Sequence, residues 1–98
     1  MCGAPSQGQG LEGVDLSTET VIQGEVTRDG SPVPAAYVRL LDASGEFTAE
    51  VQSSAQGHFR FFAAPGSWTL RVLSAGGRGE HSLVANRGLN EAQLQLDG

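Results

Sequence analysis

From Thr20 onward the chain alternates apolar and polar residues in short runs, and each run stops at a cluster of Gly, Pro, Asp, Ser or Asn. A period of two puts alternate side chains on opposite faces of a pleated strand, so each run predicts a strand buried on one face. In TVIQGEVT (20–27), Ile22, Gly24 and Val26 share one parity while Gln23, Glu25 and Thr27 share the other. The same reading gives AYVRLLD (36–42) with Val38 and Leu40 inward, and EFTAEVQS (46–53) with Phe47, Ala49 and Val51 inward. It gives HFRFFA (58–63) with Phe59 and Phe61 inward, and WTLRVLS (68–74) with Trp68, Leu70 and Val72 inward. HSLVA (81–85) and AQLQLD (92–97) are weaker strands whose pairing the pattern leaves open. No segment carries a helical period. Short strands punctuated every ~8–12 residues predict an all-β, seven-stranded antiparallel sandwich with one thin core between two sheets.

Ninety-eight residues suffice for one such domain. Residues 1–18 (MCGAPSQGQGLEGVDLST) hold four glycines and few apolar side chains. They read as a flexible N-terminal tail that docks, if at all, through Leu11, Val14 and Leu16, leaving 19–98 as the sandwich. A net charge of −5 argues against binding nucleic acid or an anionic membrane. No run approaches the ~20 apolar residues of a membrane span, and no signal peptide is visible. The single cysteine cannot form an internal disulfide, and the expected location is cytoplasmic.

Gly24, Val26, Gly30, Pro32, Ala36, Val38, Gly57, Phe59, Phe61, Gly66, Trp68, Leu70 and Val72 follow a recognisable order. It runs G-x-V, turn, G-x-P, A-x-V, G-x-F-x-F, G-x-W-x-L-x-V. This resembles the carboxypeptidase regulatory-like domain, a transthyretin-like sandwich, and that resemblance implies fold alone. The start MCGAP, with YVRLLDASGEFTAEV and FRFFAAPGSWTLR, is similar to the small actinobacterial SseC-type proteins. Those are commonly encoded beside a thiosulfate sulfurtransferase of the rhodanese type. The resemblance implies a role in sulfur metabolism and a sulfurtransferase partner, and it brings no catalytic residues with it.

The candidate binding residues are Tyr37, Arg39, Arg60, Phe62 and Arg71, all on the polar parity of their strands. If the short APGS loop closes a hairpin between the fourth and fifth strands, Phe61 pairs with Leu70, Phe59 with Val72, and Arg60 stands opposite Arg71. Like charges facing each other across a ladder need neutralising. Glu25 or Glu50 from a neighbouring strand would do so. A bound anion such as sulfate or thiosulfate, or a partner's carboxylate, would do so as well. Exposed aromatics beside arginines have the composition of an interface centre, for another protein or for a second copy of this chain.

Cys2 offers a different chemistry. With Met1 removed, its α-amine would stand beside the thiol and favour the thiolate. On a tail reaching roughly 20–25 Å, the thiolate could accept sulfane sulfur as a persulfide carrier. The third reading is a purely structural or ligand-binding module. No metal site is expected, because His58 and His81 are far apart and lack a close-spaced ligand pair. No cofactor is expected either: there is no phosphate loop and no Ser-His-Asp signature, and GGRG (76–79) is too short for a nucleotide loop. The expected function is therefore a non-catalytic accessory protein.

Overall fold

The structure, a computed structural model, describes residues 13–75 and 77–97. Eight strands follow in order: β1 (Thr20–Arg28), β2 (Ser31–Pro32), β3 (Tyr37–Leu41), β4 (Phe47–Gln52), β5 (His58–Ala63), β6 (Gly66–Ser74), β7 (Gly77–Ala85) and β8 (Gly88–Gln95). They form the expected β-sandwich. In the first sheet β1 is central, with β5 and the short β2 on one side and β8 on the other. The second sheet has the order β4-β3-β6-β7. All pairs are antiparallel except β1–β8, which is parallel from Thr20↔Gly88 to Thr27↔Gln95. A parallel partner is open to β8 because the chain reaches it from the other sheet rather than through a hairpin.

The two sheets bury one face each. Ile22, Val26, Phe59, Phe61, Ala92 and Leu94 of the first meet Val38, Leu40, Leu70 and Val72 of the second. The parity read from sequence holds for Ile22, Val26, Phe59, Phe61, Val38, Leu40, Leu70 and Val72, and they are joined by Ala92 and Leu94, to which the sequence pattern assigns no face. Phe59 and Phe61 tilt against each other with ring centroids 6.2 Å apart. Trp68 is half-buried at the rim of the core, and its indole N–H donates to the Ala64 carbonyl at 2.8 Å.

Phe47 departs from expectation. A register shift between Leu40 and Leu41 leaves Leu40 opposite Ala49 but Leu41 opposite Phe47. The extra residue on β4 reverses the parity at its start. Phe47 is therefore 62% exposed rather than inward, while Ala49 and Val51 remain packed on the core.

Turn chemistry explains the local steps. Asp29 (φ 52°) and Gly30 (φ 82°) both take left-handed backbone between Thr27↔Pro32 and Arg28↔Ser31. That is the two-residue turn which matches strand twist and favours Asp-Gly. Asp42 organises the β3–β4 turn by accepting from the Ser44 hydroxyl (2.8 Å) and from the amides of Ser44 (2.9 Å) and Glu46 (3.0 Å). Ahead of β1, Asp15 accepts from the amide and hydroxyl of Ser17, and Val14 and Leu16 are half-buried. Leu11, the third predicted docking residue of that stretch, lies outside the described residues.

The β5–β6 connection changes the topology expected from sequence. Only Ala64 and Pro65 separate the two strands, yet β5 pairs with β1 and β6 pairs with β3 and β7. The connection is an arch between sheets, not a hairpin within one. Phe61 thus pairs with Ile22, Leu70 with Leu40 and His81, and the predicted Arg60–Arg71 ladder pair does not form.

Candidate functional site

The arch sends Arg60 and Arg71 to opposite sides of the molecule. With Phe59 and Phe61 in the core, Arg60 and Phe62 face outward from the first sheet; with Leu70 and Val72 in the core, Arg71 faces outward from the second. The five predicted binding residues therefore split. Tyr37, Arg39 and Arg71 share the outer face of the second sheet, and Arg60 and Phe62 lie on the far side.

Two rows cross the outer face of the second sheet. One runs Glu50–Arg39–Arg71–Glu80 across β4, β3, β6 and β7. Arg39 stands directly opposite Arg71, so the like-charge pair foreseen in the sequence exists with a different partner. Each arginine is neutralised from its outer side: Arg39 Nε donates to Glu50 at 2.8 Å, and an Arg71 terminal nitrogen lies 3.5 Å from Glu80. Glu50 was one of the two neutralising residues the sequence offered. Glu25, the other, projects from the first sheet opposite His58. Glu80 could not be found from sequence without knowing that β7 lies beside β6. The four side chains are between 31% and 56% exposed, so each ion pair contributes no more than ~1 kcal/mol. The central like-charge contact opposes them by a few tenths to about 1 kcal/mol.

The neighbouring row is Gln52–Tyr37–Leu73–Arg78. Tyr37 (47% exposed) and Leu73 (38%) form an apolar pair directly beside the two arginines. Next to both rows lies an open hollow of about 460 Å³ lined by Arg71, Leu73, Arg78, Gly79, Glu80 and Asp97. A second hollow of about 400 Å³, farther along the same sheet, is lined by Ala43, Ser67, Trp68, Thr69, Ser82 and Leu83.

Gly79 and its neighbour Gly77 explain the GGRG stretch. A β-carbon on Gly77 would collide with the Asp97 carbonyl, and one on Gly79 would come within 2.7 Å of the Gln95 carbonyl. These glycines admit the end of β8 and the residues just after it, where the Asp97 amide donates to the Arg78 carbonyl at 2.9 Å. Their role is close backbone approach, a use of glycine that a sequence run alone does not distinguish from a binding loop.

On the outer face of the first sheet, the row Phe62–Val21–Leu89 is followed by Arg60–Gln23–Glu91. Val21 is fully buried and Arg60 is nine-tenths buried, with Arg60 Nε donating to Gln23 at 3.1 Å. Arg60 is therefore enclosed in its own structure rather than offered to a partner. Phe62 is 48% exposed.

His58 and His81 are exposed on different sheets, and among the described residues no group of three or more His, Cys, Asp or Glu could hold a metal ion. Cys2 lies outside the described residues. No helix among them is long and apolar enough to cross a membrane.

Solved structures share this architecture. A DUF3823 family protein from Parabacteroides merdae superposes with a TM-score of 0.64 at 16% identity, covering 81% of this chain and 46% of that one. The major pilin subunit BcpA of Bacillus cereus gives 0.63 at 12% identity, covering 81% of this chain and 29% of that one. The chain thus spans less than half of either, and the likeness concerns the fold. Closer in sequence are two uncharacterized proteins of Mycobacterium tuberculosis, each 54% identical over 99 residues and covering 98% of this chain and 99% of the relative. An uncharacterized protein of Mycolicibacterium smegmatis is 52% identical over 86 residues, covering 86% of this chain and 96% of the relative. Residues 2–96 match the profile described as "Protein of unknown function (DUF1416)", and the chain belongs to that family.

Proposed function

We propose that this protein is a non-catalytic binding module that docks another protein through the outer face of its second sheet. The observation that carries the reading is the side-by-side placement of Arg39–Arg71 and Tyr37–Leu73, two half-exposed guanidiniums beside two exposed apolar side chains. Apolar and arginine side chains in one patch supply the anchors of protein interfaces. The two inner strands of the second sheet, β3 and β6, present them rigidly, which lowers the ordering cost of binding.

The partner we propose is a rhodanese-type thiosulfate sulfurtransferase, working with this chain in cytoplasmic sulfur metabolism. Support comes from the likeness of MCGAP, YVRLLDASGEFTAEV and FRFFAAPGSWTLR to the SseC-type proteins.

Titration calorimetry of the purified chain against such a sulfurtransferase tests this. Arg39→Glu combined with Arg71→Glu should weaken binding at least tenfold, while Phe62→Ser with Leu89→Ser on the far face should leave it unchanged. Circular dichroism would establish that both variants are folded. Equal affinity for the wild type and the arginine variant would remove this face, and no binding by any form would remove the partner.

A further inference from the structure

The order of charges on the docking face specifies more than an acidic partner. Across four adjacent strands it reads minus, plus, plus, minus, at Glu50, Arg39, Arg71 and Glu80. The glutamates stand only on the flanks. Among the described residues, Arg39 donates to Glu50 through Nε alone and Arg71 reaches Glu80 only at 3.5 Å. Each guanidinium has five N–H donors, so most of them remain available to a partner on this half-exposed face.

We infer that the partner places one carboxylate over the Arg39–Arg71 pair and one basic side chain over each of Glu50 and Glu80. This rests on the docking face proposed above. Neighbouring strands lie ~4.8 Å apart, which puts each flanking glutamate about 7 Å from the midpoint of the arginine pair. In an extended chain, residues two apart on one face are separated by about 7 Å as well. An extended segment of pattern basic-x-acidic-x-basic, crossing β3 and β6, therefore matches the row charge for charge. Tyr37 and Leu73 in the adjoining row receive the aliphatic stem of a basic side chain. The neighbouring hollow is lined by Arg71 and Arg78 as well as Glu80 and Asp97, a balanced set that gives a second carboxylate no net attraction, so the row itself takes one acidic residue rather than an acidic run. A net charge of −5 on the whole chain acts against a strongly acidic partner in the same direction.

The probe is the peptide acetyl-Lys-Ser-Glu-Ser-Lys-amide, titrated into the 15N-labelled protein while the arginine Nε–Hε resonances are followed. Arg39 and Arg71 should shift and saturate. Replacing the central Glu by Gln should weaken binding about tenfold, the loss of one charge-assisted contact. The reversed peptide acetyl-Glu-Ser-Lys-Ser-Glu-amide should not shift them, and Arg39→Gln with Arg71→Gln should abolish the peptide-induced shifts of the Tyr37 and Leu73 backbone amides. Equal binding of the Glu and Gln peptides overturns the inference. So does a response to sodium acetate as strong as that to the peptide, which would mark a small-anion site. If the sulfurtransferase still needs Arg39 and Arg71 while the peptides show no charge order, the docking face stands and this recognition rule falls.

Discussion

Ser53 ties the loop that enters the docking face. Its hydroxyl donates to the Val33 carbonyl at 2.7 Å and accepts from the Ala36 amide at 2.8 Å, at a buried position. Ala35 between them holds φ 57°, a left-handed conformation costing a residue with a β-carbon ~1–2 kcal/mol. Removing the hydroxyl takes this partner from the buried Ala36 amide and the part-buried Val33 carbonyl, so Ser53→Ala should lose about 1–3 kcal/mol in urea unfolding. Gly24 makes a sharper case. A β-carbon there would collide with the Ala92 carbonyl across the β1–β8 ladder and lie 3.0 Å from the Phe59 ring. Gly24→Ala should cost at least ~2 kcal/mol by the same measurement, as overpacking of a closed core does. The alternation marks Gly24 as an apolar-parity position, and the G-x-V pattern keeps a glycine there without giving the reason. Its need for glycine comes from a strand nearly seventy residues away, which no local pattern records.

Among the elements, strand positions and inward residues were largely legible because a half-buried strand writes its parity into the chain. Which strand lies beside which was not. Alternation is the same whether the next strand pairs or crosses to the other sheet, and the two-residue β5–β6 arch looks like a hairpin turn in sequence. Phe47 was misplaced for a related reason: one unpaired residue reverses parity without altering composition. Phe47→Ser should therefore cost under ~1 kcal/mol, whereas Phe59→Ala in the core should cost ~3–5 kcal/mol. Denaturation midpoints of the two variants decide it. The β3–β4 turn carries a pH dependence. The Ser44 hydroxyl, followed by the Glu46 amide, holds the Asp42 carboxyl below its ordinary value. A depressed folded value stabilises the native state above the unfolded value, and the effect is lost as pH falls through the folded one. Asp42→Ala should lower the urea midpoint at pH 7, and the gap to wild type should narrow as pH falls below the ordinary aspartate range.

For the molecule as a whole, the division into two sheets decides which candidate residues act together. The sequence supplied Tyr37, Arg39 and Arg71 correctly as outward residues, and it joined Arg60 and Phe62 to them through a register the arch does not make. The result is a sandwich with two unlike outer faces. One carries an ordered charge row beside exposed Tyr37 and Leu73, and the other keeps Val21 buried between exposed Phe62 and Leu89, with Arg60 buried in the next row. Each face thus has its own pair of oxidisable reporters. Hydroxyl-radical footprinting with mass spectrometry, on the chain alone and bound to the sulfurtransferase, reads all four side chains at once. Binding through the second sheet predicts that Tyr37 and Leu73 become shielded while Phe62 and Leu89 label as before; shielding of Phe62 and Leu89 instead, or of none of the four, would contradict it.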